Sequence, residues 1–233
     1  MDDNIDLEAY LLISQKKLII SVNTNFDNKI YQNELMLQKK FDNIDLIQLD
    51  EFLHQNIFKI EKQSKNFIKN ISIILDLNIF FPIEISVKKN NYEDKIDMDD
   101  LKHILYEAKD DCKKTLQGNK ISHMLIDCYK FDGDSYSYLP KDIRCKNYSL
   151  DIRFICISDN LIQSLENILK KYQISLKQVL SAKYIKNFLT DADKSIFEVA
   201  KRIINGHNPN EVRFINKSLK NKGFFEKFFN FFR

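Results

Sequence analysis

The chain of 233 residues has no tryptophan, only four glycines and three prolines. Collagen-like and Gly/Pro-rich low-complexity classes are excluded by that alone. The four glycines also cannot supply several phosphate-cradling turns, because such turns need residues without Cβ where backbone amides approach the ligand. No Gly precedes Gly118. The four cysteines, Cys112, Cys128, Cys145 and Cys156, show no C-x-x-C spacing, so they read as reduced buried thiols and not as a zinc or redox site. His54, His103, His123 and His207 are equally scattered and form no metal motif. No apolar run approaches the roughly 20 residues needed to span a bilayer. The opening MDDNIDLEAY is acidic and does not read as a signal peptide. A cytoplasmic protein is the expectation.

What is present is ordinary for a globular chain: 44% hydrophobic, 30% charged, net charge +3. The charge is unevenly placed. Residues 211–233 carry six Lys/Arg against two Glu, so everything before them nets to −1. That last stretch ends in GFFEKFFNFFR, which holds six of the eighteen phenylalanines. At helical spacing Phe224, Phe225, Phe228, Phe229, Phe231 and Phe232 fall on one arc of roughly 160°. Glu226, Lys227, Asn230 and Arg233 fill the other side. An aromatic face flanked by Lys220, Lys222, Lys227 and Arg233 describes a helix lying in an anionic membrane interface. Its competing reading is docking on protein. Half-burial of six Phe is worth roughly 5–9 kcal/mol, opposed by helix ordering. A single copy therefore binds reversibly, and copies held in an array bind far better.

The chain in order predicts an α+β fold. Residues 9–15 and 17–24 read as a hairpin, 29–37 as a third strand, 46–67 as an amphipathic helix, and 71–77 as a central strand. An alternating strand over 83–89 follows, then a helix to Leu116 capped by Asp97 with Asp99 and Asp100 behind it. Strands over 121–131 and 148–158 flank a polar loop. A helix over 160–172 and a segment over 174–189 return to the first part. Thr190 or Asp191 is expected to cap one more helix, which Gly206 ends; 206–222 reads as a linker. The expected organisation is 1–78 with 159–190, an insert over 79–158, an extra helix over 191–205, the linker, and an amphipathic helix over 223–233.

Other patterns carry little chemistry. Asp132-Gly-Asp134-Ser-Tyr136 lacks the spacing and Glu of a calcium hand and reads as a solvated turn. The Lys-rich stretches 62–69 and 113–120 have no aromatic interleaving and read as solvated helix faces, not nucleic-acid sites. No catalytic, cofactor or metal residue is expected.

Taken together, YLLISQKKLIISV, DMDDLKHILYEAKD, HMLIDCYKFDG, YLPKDIRCKN, YSLDIRFICIS, SLENILKKYQISLKQVLSAKYIKNFLTDADKS and the aromatic tail resemble the actin-like bacterial cell-division family FtsA. The resemblance implies a partial actin-like (ribonuclease H-like) subdomain with an inserted strand-helix-strand-strand domain and a terminal membrane-targeting helix. The family's first phosphate turn would fall at Ser14–Lys17, which reads S-Q-K-K, and its second Gly-rich turn has no counterpart after LTDADKS. The implied role is a non-enzymatic scaffold of the division machinery on the inner face of the cytoplasmic membrane, without bound cofactor. FtsZ, a full-length homologue or further copies are its implied partners, with the FtsZ-binding region itself missing. The alternatives are a soluble assembly module like the related pilus protein PilM, which shares the insert, and a residual ATPase.

Overall fold

The computed structural model describes residues 7–24, 28–37, 44–92, 95–96 and 98–214. The expected terminal helix over 223–233, the Asp97 cap and residues 215–222 of the expected linker lie outside them. The described chain forms two compact units. Of the described residues, the first takes those within 7–81, 118–122 and 157–201, and the second those within 82–117, 123–156 and 202–214. Residues 118–122 thus fall in the first unit, not in the expected insert. Among the described residues no helix is long and apolar enough to cross a membrane.

The first unit is built on a five-stranded mixed sheet. Strands β1 (Leu7–Ser14) and β2 (Lys17–Thr24) form an antiparallel hairpin, and β3 (Lys29–Met36) continues it. Helix α1 (Leu46–Ser64) then crosses over to β4 (Asn70–Asp76), which pairs parallel to β1 with Ile73 beside Leu11. Much later in the chain, β9 (Ser175–Ser181) adds parallel to β4. The order is β3-β2-β1-β4-β9. Ala9 to Ile13 and Ile71 to Leu75 are buried without interruption, because helices cover both faces of these inner strands. On one face Leu11, Ile13, Ile71 and Ile73 share a core with Leu49, Phe52, Leu53, Ile57 and Ile60 of α1 and Ile162, Leu165 and Leu169 of α3 (Asp159–Lys170). On the other, Tyr10 meets Phe197 of α5 (Ile196–Ile204) with ring centroids 6.0 Å apart.

Local chemistry sets the helix ends. Asp45 accepts from the amides of Ile47 and Gln48 at the start of α1. The expected Thr190 or Asp191 cap on α5 is not used. Thr190 instead bonds Asp193 through its amide and hydroxyl, and Ser195 takes the capping position by accepting from Glu198 N. Ser195 is the hydroxyl immediately before the first helical residue, which is where a cap can reach an orphan amide. Gly206 closes the helix as expected: its φ is +85°, its N–H donates to Ile203 O, and His207 N–H donates to Arg202 O.

A buried polar hub ties β3 to α1. Asn56, with no exposed surface, accepts from Tyr31 OH and Asn33 Nδ2, each at 2.7 Å, and donates to Phe52 O.

The second unit carries a four-stranded sheet in the order β5-β8-β6-β7 and helix α2 (Met98–Thr115). Its strands are β5 (Phe81–Asn90), β6 (Asn119–Phe131), β7 (Asp134–Tyr136) and β8 (Asn147–Ser158). Tyr148, Leu150, Ile152, Phe154 and Cys156 alternate inward on β8, and Leu101, Ile104, Leu105, Ala108 and Cys112 form the buried stripe of α2. Strand β7 lies within the expected polar loop. Asp132 and Gly133, at φ 49° and 102°, make the two-residue turn between β6 and β7. The Asp132 carboxylate accepts from the amides of Lys146 and Asn147, which hold its pKa below the usual range.

Candidate functional site

Strands β1, β4 and β9 run parallel, so their carboxyl ends share one edge of the first sheet. Ser14 sits opposite Asp76, and Leu75 opposite Ser181. Ligands of open α/β sheets gather at such an edge. Here it opens into a cleft of about 650 Å³, lined by Ser14, Lys16, Lys17, Asp76, Ser181 and Lys183 among others.

The chemistry of this cleft is largely committed internally. Ser14 Oγ accepts from the amides of Lys16 (3.4 Å) and Lys17 (3.1 Å) and donates to Lys17 O (3.0 Å). Lys16 O accepts from Leu37 N. The turn amides that a phosphate would need are thus directed at a side chain of the turn itself. Lys17 is paired with Glu34 at 3.2 Å. Both oxygens of Asp76 are held by Lys186 Nζ, at 2.9 and 2.8 Å. Lys16 and Lys183 make no ion pair among the described residues. The arrangement can attract an anion, but the Lys16 and Lys17 amides are already taken by Ser14. Among the described residues no three His, Cys, Asp or Glu side chains are grouped to hold a metal ion.

The second unit holds a polar cluster that sequence reasoning missed. The stretch expected as linker begins with residues that dock. Ile126 N donates to Asn210 O and Val212 N to Met124 O, so 210–212 covers β6 beyond the point where β7 ends. The reason is the uncovered strand: β7 pairs only with Tyr129–Phe131, and unpaired backbone at Met124–Ile126 needs partners. His123 Nδ1 lies 2.9 Å from Glu211 Oε1, with both residues buried. Arg213 Nη2 lies 3.1 Å from both Glu211 oxygens, and its Nη1 donates to Ile204 O. Phe214 packs on Tyr106, ring centroids 4.3 Å apart, under Lys109 Nζ. One signal was available in sequence, a Glu and an Arg two residues apart as a strand places them on one face. Their partner, His123, is 88 positions from Glu211.

The proposed membrane residues Phe224, Phe225, Phe228, Phe229, Phe231, Phe232, Lys220, Lys222, Lys227 and Arg233 all lie outside the described residues. Asp99 heads α2 and pairs with Lys102 at 2.6 Å, a helix-terminal role. The four cysteines are free, and Cys112, Cys145 and Cys156 are buried.

A mixed sheet of order β3-β2-β1-β4-β9, hairpin first, with a strand-and-helix unit placed between β4 and β9, is a partial actin-like, ribonuclease H-like α+β fold. No family model matches the sequence, and no curated protein matches it. Among solved structures the chain is similar to a PilM–PilN type IV pilus biogenesis complex (9% identity, 79% of this chain and 50% of that one, TM-score 0.49). It is also similar to the cytoplasmic domain of EpsL, an inner membrane component of the type II secretion system of Vibrio cholerae (10%, 77% and 57%, TM-score 0.36). A third is a Bacteroides thetaiotaomicron protein with an actin-like ATPase fold (12%, 81% and 58%, TM-score 0.33). The chain spans between half and three-fifths of the length of each.

Proposed function

We propose that this protein is a non-enzymatic assembly module on a partial actin-like fold, held at the inner face of a membrane by its aromatic terminal segment. The observation that carries this reading is the Ser14–Lys17 turn. At the place where an actin-like ATPase grips phosphate, the turn amides are satisfied by Ser14 and the adjacent carboxylate of Asp76 is held by Lys186. A cleft so committed leaves binding as the work of the fold.

Membrane attachment is supported by the segregated Phe face and flanking cations of 223–233. The cell-division setting rests on the resemblance of motifs to FtsA alone, and it directs the first search for partners to division proteins. The test is vesicle cosedimentation of the full chain against a version ending at Lys222, at two salt concentrations. Tail-dependent, salt-weakened binding to anionic vesicles is expected. Equal behaviour of both versions sinks the membrane half of the proposal. Calorimetry with ATP and magnesium is expected to show no binding at micromolar concentration, and measurable heat would overturn the non-enzymatic half.

A second reading has its own observation. Residues 208–214 already dock on the second unit, so the segment beyond them belongs on protein in this reading. The protein would then be a soluble module of the PilM kind, and vesicles would make no difference to it.

A further inference from the structure

The second sheet ends at β5, and this edge is self-complementary. Asn91 N donates to Lys146 O at 2.7 Å, and Ser86 Oγ donates to Asp151. From Ser86 to Asn91 the number rises by five while on β8 it falls by five, so β5 runs antiparallel to β8. The Asn91–Lys146 bond turns the odd-numbered amides of β5 towards β8. The even-numbered ones, of Glu84, Ser86 and Lys88, therefore face the open edge. Their side chains are exposed, while Ile83, Ile85 and Val87 are half-buried on the opposite face. Among the described residues no strand pairs on that side, and neither Glu84 nor Lys88 makes an ion pair.

Charged edge strands commonly serve to discourage pairing. Here the two charges are opposite in sign and stand symmetrically about Ser86. A second copy of β5 laid antiparallel, Ser86 across from Ser86, brings Glu84 of each copy opposite Lys88 of the other. Ile85 then meets Val87 on the other face. Three residue pairs exchange about six main-chain hydrogen bonds, and Pro82, lacking an N–H, ends the ladder. The contact is isologous and closes as a dimer.

We propose that two copies of this chain pair through β5 in this register, joining their second sheets into one. The inference concerns the second unit alone and does not rest on the membrane reading.

The test is sedimentation velocity of the full chain across a range of concentrations, with two charge variants. Glu84→Lys sets lysine against lysine at both ends of the ladder, and Lys88→Glu sets glutamate against glutamate there. Each variant turns two attractive pairs into two repulsive ones and is expected to weaken dimerisation about tenfold or more. Mixing the two variants restores complementary pairs, so a mixed dimer of near wild-type affinity is expected. Both positions are exposed, and circular dichroism checks that each variant keeps its fold. A wild-type chain that stays monomeric, association untouched by either variant, or variants that fail to associate even when mixed would each overturn the proposal.

Discussion

His123 Nδ1 lies 2.9 Å from Oε1 of Glu211, a contact between residues 88 positions apart that clamps the 208–214 segment to β6. The imidazole donates from Nδ1 to the carboxylate, which also carries the Arg213 guanidinium. Removing the carboxylate strands both partners. Glu211→Ala is expected to cost about 3–5 kcal/mol, read from urea melts. Amide exchange at Val212 and Ile126 should accelerate with it, because those amides bridge the segment and β6.

Acid should loosen the same clamp. Burial pushes the His123 pKa below its ordinary 6.5, outweighing the pull of Glu211. The unfolded chain therefore takes up a proton on His123 at a pH where the folded chain does not, and stability falls as pH drops below about 6.5. For Glu211, burial pushes upward but the bonds from His123 and the charge of Arg213 win, so its pKa is lowered. Its contribution is present above the ordinary carboxylate range and is lost at still lower pH. Protection at Val212, corrected for intrinsic exchange, should decline from about pH 7 to about pH 5. His123→Gln should remove the upper part of that decline.

Asn56 satisfies both Tyr31 OH and Asn33 Nδ2 through one oxygen. Asn56→Ala takes that acceptor away from both donors under the β3 edge. A loss of about 1–3 kcal/mol is expected, with faster exchange along β3 and little change in the second unit. Equal loss in both units would count against a local role.

The folding pattern was legible where periodicity is local. The hairpin, α1, the buried β4, α2, α3 and the alternating β8 all follow from apolar spacing within one element. The docked segment was not, because Asn208–Phe214 has Asn, Pro and charges that read as a connection; its reason for docking is an uncovered stretch of β6 far away in sequence. The same holds for β7, whose three residues are too few to show a period. For the cleft, the lack of glycine at Ser14–Lys17 was visible, but the way Ser14 occupies the turn amides needed geometry.

Gly206 offers a clean conformational test. Its φ is +85°, and an added Cβ would meet no atom within 4 Å. Gly206→Ala therefore costs only the left-handed backbone, about 1 kcal/mol, seen as a small fall in melting temperature. Gly206→Asn should lose less, since Asn tolerates this region better.

The first sheet has a consequence for synthesis. Strand β4 ends at Asp76, but its parallel neighbour β9 begins only at Ser175, after most of the second unit. On the ribosome that gap lasts roughly 5–20 s. Throughout it the nascent β4, apolar on both faces, has one hydrogen-bonding edge with no strand to meet. This protein is therefore born with a window in which a chaperone, or a neighbouring nascent chain, competes for the place that β9 will take.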